Sequence, residues 1–416
     1  MGERPGGGAA SPPRFAALHR RNFRLLWIGL LASNVGTWMA STAEAWLVTD
    51  LEPERKAFAL GLIAVAFAVP MLLLPPFGGA IVDRVPRLRL LWSAQFAYIA
   101  LSGTLTVLTL TDRVSLTWLM GYAFLTGAVL AFDNPTRQAL VPDLVDRSEL
   151  MSAISLNASV FTSAALVGPA VAGALLPVVG PGGVFLVNTL SYLFVLISLK
   201  RVTGVPQRSG QRRADVGILA TIRGGLSYIR QTPVVATLLL LSLLQGFLGR
   251  SFGPLLAVFA RDIFGVGSIA FGVLVAAPGL GTLIGSLGLA ARGTVRARGR
   301  LILVAMLASS VALVLFATAT TYALALPMLL LVGFFGTVAS ALSATIIQLR
   351  VPPALRGRVM SYYTLTVIGI PALGTLFLGA IADAVGVRTA VSGAAMLLTL
   401  LAIVTYRRSA DLRAAG

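Results

Sequence analysis

The chain has 416 residues and a net charge of +18; it is 57% hydrophobic, only 12% charged, and has a mean hydropathy of +0.88. A soluble globular protein carries roughly 25% charged residues, so the composition excludes a soluble domain, and apolar runs of about 20 residues exclude a barrel built from alternating segments of about 10. The chain has no cysteine, which removes disulfides, thiolate metal sites and cysteine nucleophiles, and its single histidine, His19, has no cluster of ligands around it.

In chain order, the Pro/Gly-rich stretch 1–13 reads as a disordered tail without the apolar core of a cleaved signal peptide. Six membrane spans follow within a first unit, 14–200, at about 23–47, 58–82, 90–110, 115–133, 151–177 and 181–199. A polar linker, 201–233, contains Val216, Leu219, Ile222, Leu226 and Ile229 at helical spacing, which predicts an amphipathic helix lying on the membrane surface over Ala214 to Arg230. The second unit, 234–408, carries spans at about 234–260, 268–291, 300–319, 322–347, 359–382 and 388–406, and a short tail, 409–416, ends the chain. The expected fold is thus an all-α integral membrane protein with twelve transmembrane helices.

Of the 33 Lys and Arg residues, 27 fall in the two termini and the even-numbered loops and 5 in the odd-numbered loops. Cytoplasmic loops hold the basic excess, so both termini are expected in the cytoplasm of a cell inner (plasma) membrane. The positive charge then serves topology and attraction to anionic lipid headgroups, and nucleic acid is not an expected partner.

The two units resemble each other. Ala45 to Asp50 matches Ala257 to Asp262 at an offset of 212, Arg137 to Pro142 echoes Ile347 to Pro352 at 210, and Gly168 and Gly173 match Gly374 and Gly379 at 206. Two parallel six-helix repeats around a central cavity suit a rocking transporter.

A charge inside a span costs at least about 2.5 kcal/mol at the helix centre and is a functional hypothesis by default. Glu44 in span 1 lies roughly 9 Å inside Asp50, and Arg250 in span 7 lies roughly 18 Å inside Asp262 if that helix is continuous. Asn34, Thr37, Ser41 and Glu44 share one helix face, which should line a polar cavity together with Trp38. Glu44 is the proton-coupling candidate; Asn34, Trp38, Ser41, Gln245 and Arg250 are the substrate-cavity candidates, with Arg250 either tuning Glu44 or binding an anionic substrate.

The loop after span 2, Gly79-Ala-Ile-Val-Asp83-Arg84-Val-Pro86-Arg87-Leu-Arg89, resembles motif A of the major facilitator superfamily, with Pro86 in place of a second glycine. Span 5 carries Gly168-Pro169-Ala-Val-Ala172-Gly173, similar to the motif C of antiporters in that family, with Ala172 in place of a glycine. Arg21 to Trp27, Arg137 to Val145 and Arg356 to Ser361 look like the branch that includes enterobactin exporters and macrolide efflux proteins. The resemblance implies a cytoplasmic gate at Gly79, Asp83, Arg84 and Arg87; Arg137, at the cytoplasmic end of span 4, is expected to join Asp83 in it, with Asp133 competing for Arg137. It also implies proton-driven export of a small amphipathic molecule, drug-like, macrolide-like or siderophore-like.

A lipid or lysolipid transporter of the same fold is the nearest rival, and a non-transporting receptor or scaffold a more distant one. An enzyme would need clustered His, Asp, Glu or Cys at membrane depth, which the chain does not offer. The expected partners are the substrate, protons and membrane lipids, with no cofactor or metal, and the protein is expected to act as a monomer.

Overall fold

The computed structural model describes residues 15–74, 85–203, 218–292, 297–409 and 412. All regular structure among the described residues is helical. Nine of these helices are long and apolar enough to cross a membrane, and a bent pair forms a tenth crossing element. One of the nine, Arg147–Arg201, holds two spans, because the chain breaks at Gly180, which adopts φ 64° between Pro177 and Pro181. The helix Arg21–Leu51 adds span 1; at about 1.5 Å per residue its 31 residues exceed the hydrocarbon thickness. Polar Asn34, Thr37, Ser41 and Glu44 dilute the hydropathy of that helix. The chain thus folds as twelve membrane spans in two six-helix repeats.

Spans 2, 3 and 4 are Lys56–Leu73, Arg87–Leu110 and Leu116–Leu140. Spans 8, 9 and 10 are Ser268–Arg292, Arg298–Thr318 and Tyr322–Arg350; span 11 starts at Pro353 and ends at Val385, and span 12 is Val387–Arg408. The end of the bundle at which span 1 begins and span 12 ends is the basic end, and the opposite one the far end.

The repeats meet along two seams, span 2 against span 11 and span 5 against span 8. Glycines set the approach. A Cβ on Gly61 would lie 2.4 Å from Leu376 Cα, and one on Gly173 would lie 2.6 Å from the Ser268 carbonyl oxygen and 2.9 Å from Gly272 Cα. Small residues let membrane helices approach backbone to backbone. The density of small residues on both seams is therefore a packing requirement.

Span 7 differs from the continuous helix that its apolar run predicts. Helix Pro233–Leu244 passes into a π-helical stretch, Gln245–Gly249, then a non-helical segment at 250–255, one helical turn at Leu256–Val258 and a second π stretch, Phe259–Ile263. Gly249, Gly253 and Pro254 bracket the break; glycine weakens the helix and proline removes a donor from it. The depth estimated for Arg250 from a uniform helical rise therefore does not hold.

The linker helix runs Ile218–Gln231, and its final segment meets span 7 at 107°. Tyr228 Oη donates to the Arg350 carbonyl oxygen at 3.1 Å, and Gly224 and Gly225 lie against Arg358 and Tyr362. The helix thus turns sharply away from span 7 and packs on the basic ends of spans 10 and 11.

Candidate functional site: polar faces of two repeats fastened at one end

Along span 1, Asn34, Trp38 and Glu44 are half-buried, and Thr37 and Ser41 are exposed. Polar groups at membrane depth are costly against lipid and usually face the interior of a bundle. Trp38 packs edge-on against Phe161 at 5.6 Å, and its Cβ sits over Gly168 of span 5. Glu44 Oε1 is buried without a hydrogen-bond partner, and Tyr122 of span 4 is a neighbour of it in the same repeat.

Behind this face lies a polar layer inside the N-terminal repeat that sequence reasoning missed. Thr37 Oγ1 and Tyr192 Oη are 3.2 Å apart, and Tyr192 stacks on Tyr98 at 5.0 Å. Asn188 Nδ2 and Thr189 Oγ1 both donate to Ser102 Oγ, at 3.2 and 2.9 Å. Gln95 is fully buried, with neither amide atom hydrogen-bonded. A signal was present: Gln95, Tyr98, Ser102 and Thr106 recur on one face of span 3, in the same pattern that singled out span 1.

In the C-terminal repeat, Arg250 stands at the break in span 7. Its Nη2 donates to Ser340 Oγ of span 10 at 2.5 Å, and Tyr363 of span 11 is a near neighbour. Arg250, Gln245, Ser340 and Tyr363 line one cavity. The structure does not bring Arg250 and Glu44 together: Glu44 sits beside Tyr122 in one repeat, and Arg250 beside Ser340 in the other.

At the basic end, Arg87 Nη1 donates to the Ala139 carbonyl oxygen at 2.8 Å and pairs with Asp143, tying the start of span 3 to the end of span 4. Arg137 Nη2 lies 2.5 Å from Asp133 Oδ2, one helical turn away, with Asp133 fully buried. Gly79, Asp83 and Arg84 lie outside the described residues. Asp133 thus pairs with Arg137 among the described residues, and Asp83, the other partner expected for it, is not one of them. Nearby, Arg20 pairs with Asp146 and Glu149. The Glu149 carboxyl is held below its ordinary range, first by the hydrogen bond from Arg20, and Arg20 is pushed up, first by the same bond.

At the far end the two repeats are fastened to each other. Arg261 grips Asp50, with Nη2 2.7 Å from Oδ2, and its guanidinium lies 4.3 Å over the Trp46 ring. Lys56 Nζ donates to Asp262 at 2.7 Å. Asp383, at the end of span 11, accepts from the first backbone N–H groups of span 2, Ala57 N at 3.1 Å and Phe58 N at 2.9 Å. Trp46, whose position near a span end suggests an interfacial ring, instead stacks on Phe271 of the other repeat at 5.2 Å. Pro169 and Gly173 work at this end too: a Cβ on Gly272 of span 8 would lie 2.4 Å from the Pro169 carbonyl oxygen. The motif C helix is therefore one side of a seam between the repeats.

Two repeats with polar groups on their facing spans, joined tightly at one end, are the architecture of an alternating-access transporter. The sequence matches the family described as transmembrane secretion effector over residues 12–414. The chain belongs to that family, within the major facilitator superfamily. It is 28% identical over 258 residues to the staphyloferrin A transporter of Staphylococcus aureus, covering 61% of this chain and 63% of that protein, so this match spans less than two thirds of the relative. It is 26% identical over 392 residues to the multidrug efflux pump Tap of Mycolicibacterium fortuitum, covering 91% and 94%. Among solved structures, a bacterial homologue of the human lysosomal transporter Spinster, inward-facing and occupied, superposes with a TM-score of 0.72 over 94% of this chain and 97% of that one, at 16% identity, a likeness of fold alone. The chain is a multi-pass membrane transporter.

Proposed function

We propose that this chain is a secondary active exporter that moves a small amphipathic molecule out of the cell in exchange for protons. Its units, 14–200 and 234–408, would rock about the central cavity as a monomer in the inner (plasma) membrane, with the basic end and both termini in the cytoplasm. The family match supports the exporter class, and the relatives named for staphyloferrin A and for multidrug efflux support an amphipathic, drug-like or siderophore-like cargo.

Proton coupling rests on one observation: Glu44, within a membrane span, has a buried carboxyl oxygen that no hydrogen-bond partner claims. A carboxylate locked in an ion pair, such as Asp133 with Arg137, is committed to the fold. Glu44 is free to take a proton from one side and release it to the other. Asn34, Trp38 and Ser41 give the cavity a wall with both polar and apolar character, which suits amphipathic guests.

The test is ligand-driven proton movement in proteoliposomes carrying an internal pH dye, with siderophores, macrolides and cationic dyes added outside. Proton flux should appear with one compound class and vanish in Glu44→Gln. Flux that survives the substitution would move coupling to another group.

A further inference from the structure

Two spans of the C-terminal repeat leave α-helical geometry at the same level. The π-helical stretches Gln245–Gly249 of span 7 and Leu365–Gly369 of span 11 lie against each other, and a Cβ on Gly246 would come 2.3 Å from the Thr366 carbonyl oxygen. Such bulges re-aim side chains and recur at functional sites. Just beyond the first one, span 7 stops being helical and presents Arg250. Interrupted membrane helices are where transporter folds place ligand groups.

Arg250 has five N–H donors, and one of them is engaged, by Ser340. No carboxylate among the described residues pairs with it. Arg137, a half-buried guanidinium of the first repeat, has Asp133 beside it. A guanidinium held at membrane depth without a counter-charge is a site waiting for an anion. The cavity it enters is small, about 20 Å³, so only a compact group fits beside the guanidinium, and Arg250 is half-buried rather than sealed off.

The remaining walls suit an anion. Gln245 is buried, and its Oε1 has no hydrogen-bond partner, so the amide has bonding capacity in reserve. Ser242, Ser340 and Ser343 also line the cavity. Their hydroxyls donate to the carbonyl oxygens of Leu238, Gly336 and Ala339, at 2.8, 2.7 and 2.7 Å. Those carbonyls belong to helix turns with their own amide partners, so a hydroxyl can rotate its proton toward a guest at small cost.

We propose that Arg250, Gln245 and the three serines form an anion site that takes a compact, singly charged headgroup such as a carboxylate. This deepens the exporter reading by naming its substrate class, amphipathic organic anions whose apolar body stays in the central cavity. It rests on that reading for the role of the ligand, not for its binding. Free chloride has the same chemistry, and the test separates the two sources.

The full-length protein in lipid nanodiscs, in chloride-free gluconate buffer at constant ionic strength, is titrated with salicylate, with neutral salicylamide and with chloride. The rise in its thermal unfolding midpoint gives apparent affinities. Salicylate should stabilise the protein, salicylamide should act at least about tenfold more weakly, and Arg250→Gln should weaken salicylate by about tenfold or more. Arg250→Lys, which keeps the charge, should retain most of the effect and shows that loss in the glutamine variant is not misfolding. A response to chloride alone, lost in Arg250→Gln, assigns the same site to an inorganic counter-ion. Equal responses to salicylate and salicylamide, or anion responses unchanged in Arg250→Gln, would overturn the proposal. Binding that persists in Glu44→Gln while proton flux is lost keeps this site and the coupling reading separable.

Discussion

Removing the Asp383 side chain should loosen the far end more than breaking either of the ion pairs beside it. Asp383 reaches from span 11 to the first amides of span 2, so its two bonds exist only while the repeats are closed there. Losing a side-chain cap costs about 0.5–2 kcal/mol, and losing a negative charge at a helix N-terminus about 0.3–1 kcal/mol more. A combined loss of about 1.5 kcal/mol moves a two-state equilibrium by roughly tenfold. Asp383 is exposed like the acids of the neighbouring pairs, Asp50 at 50% and Asp262 at 41% side-chain exposure; what sets it apart is that it bonds two backbone amides of a helix start, whereas exposed ion pairs contribute about 0.2–1 kcal/mol. Stacking on Trp46 adds about 0.5–1 kcal/mol for Arg261, so the expected order is Asp383→Ala first, Arg261→Gln second and Lys56→Gln last. The chain has no cysteine, so spin labels at Glu54→Cys and Thr320→Cys, exposed positions at the far ends of the two repeats, report the separation without background. Pulsed electron–electron distances should gain a longer component in Asp383→Ala, with the open fraction rising roughly tenfold on the scale just given. An unchanged distribution, or a smaller shift than in Lys56→Gln, would refute the cap as the main fastening.

Arg137→Ala should destabilise the protein by about 3–5 kcal/mol, because it strands Asp133 in the bundle without its counter-charge; unfolding in mild detergent measures this, and adding Asp133→Asn should restore most of the loss. Gly173→Ala places a methyl group 2.6 Å from the Ser268 carbonyl oxygen, an overpacking cost of about 1–3 kcal/mol that falls on the closed state, so the same spin-label pair should again show a longer component. Glu149 has a lowered folded-state pKa, so the stability from its bond with Arg20 is present above the unfolded carboxyl value of about 4.3 and is lost as pH falls through the folded one. Glu149→Gln should therefore lower stability in the neutral region, leave it nearly unchanged below the folded carboxyl value, and so flatten the acid limb between them.

What the sequence made legible is what repeats along the chain. Apolar runs mark the spans, the offsets between Asp50 and Asp262 and between Gly173 and Gly379 mark the duplication, and the spacing of Asn34, Thr37, Ser41 and Glu44 marks a polar face. The motif residues led to the right family, although Gly79, Asp83 and Arg84 lie outside the described residues. What was not legible depends on partners far away in the chain. Asp383 and the amides it caps are more than 300 residues apart, and nothing local to either announces the contact. Trp46 shows the same limit, since a ring near a span end reads as interfacial until Phe271 and Arg261 are seen around it. Span 7 misled for a different reason. Its leucines and valines carry the hydropathy of a full span, and the two glycines and the proline that break it sit within that run.

That break changes how the two charges of the cavity relate. A continuous span 7 would set Arg250 facing span 1, where Glu44 and Arg250 could share one site and compete for it. The structure gives each charge to its own repeat. At the offset of 212, Arg250 corresponds to Trp38 and Glu44 to Leu256, so each half lacks what the other supplies. A duplicated unit that kept both charges in both halves could balance them internally. This one leaves a lone carboxyl in the first repeat and a lone guanidinium in the second. If the carboxyl carries the proton and the guanidinium the anion, their coupling cannot come from direct displacement. It has to pass through the rocking of the repeats, and the seams at Gly61 and Gly173 and the fastenings at Asp50, Lys56 and Asp383 are where that motion must be resisted and released.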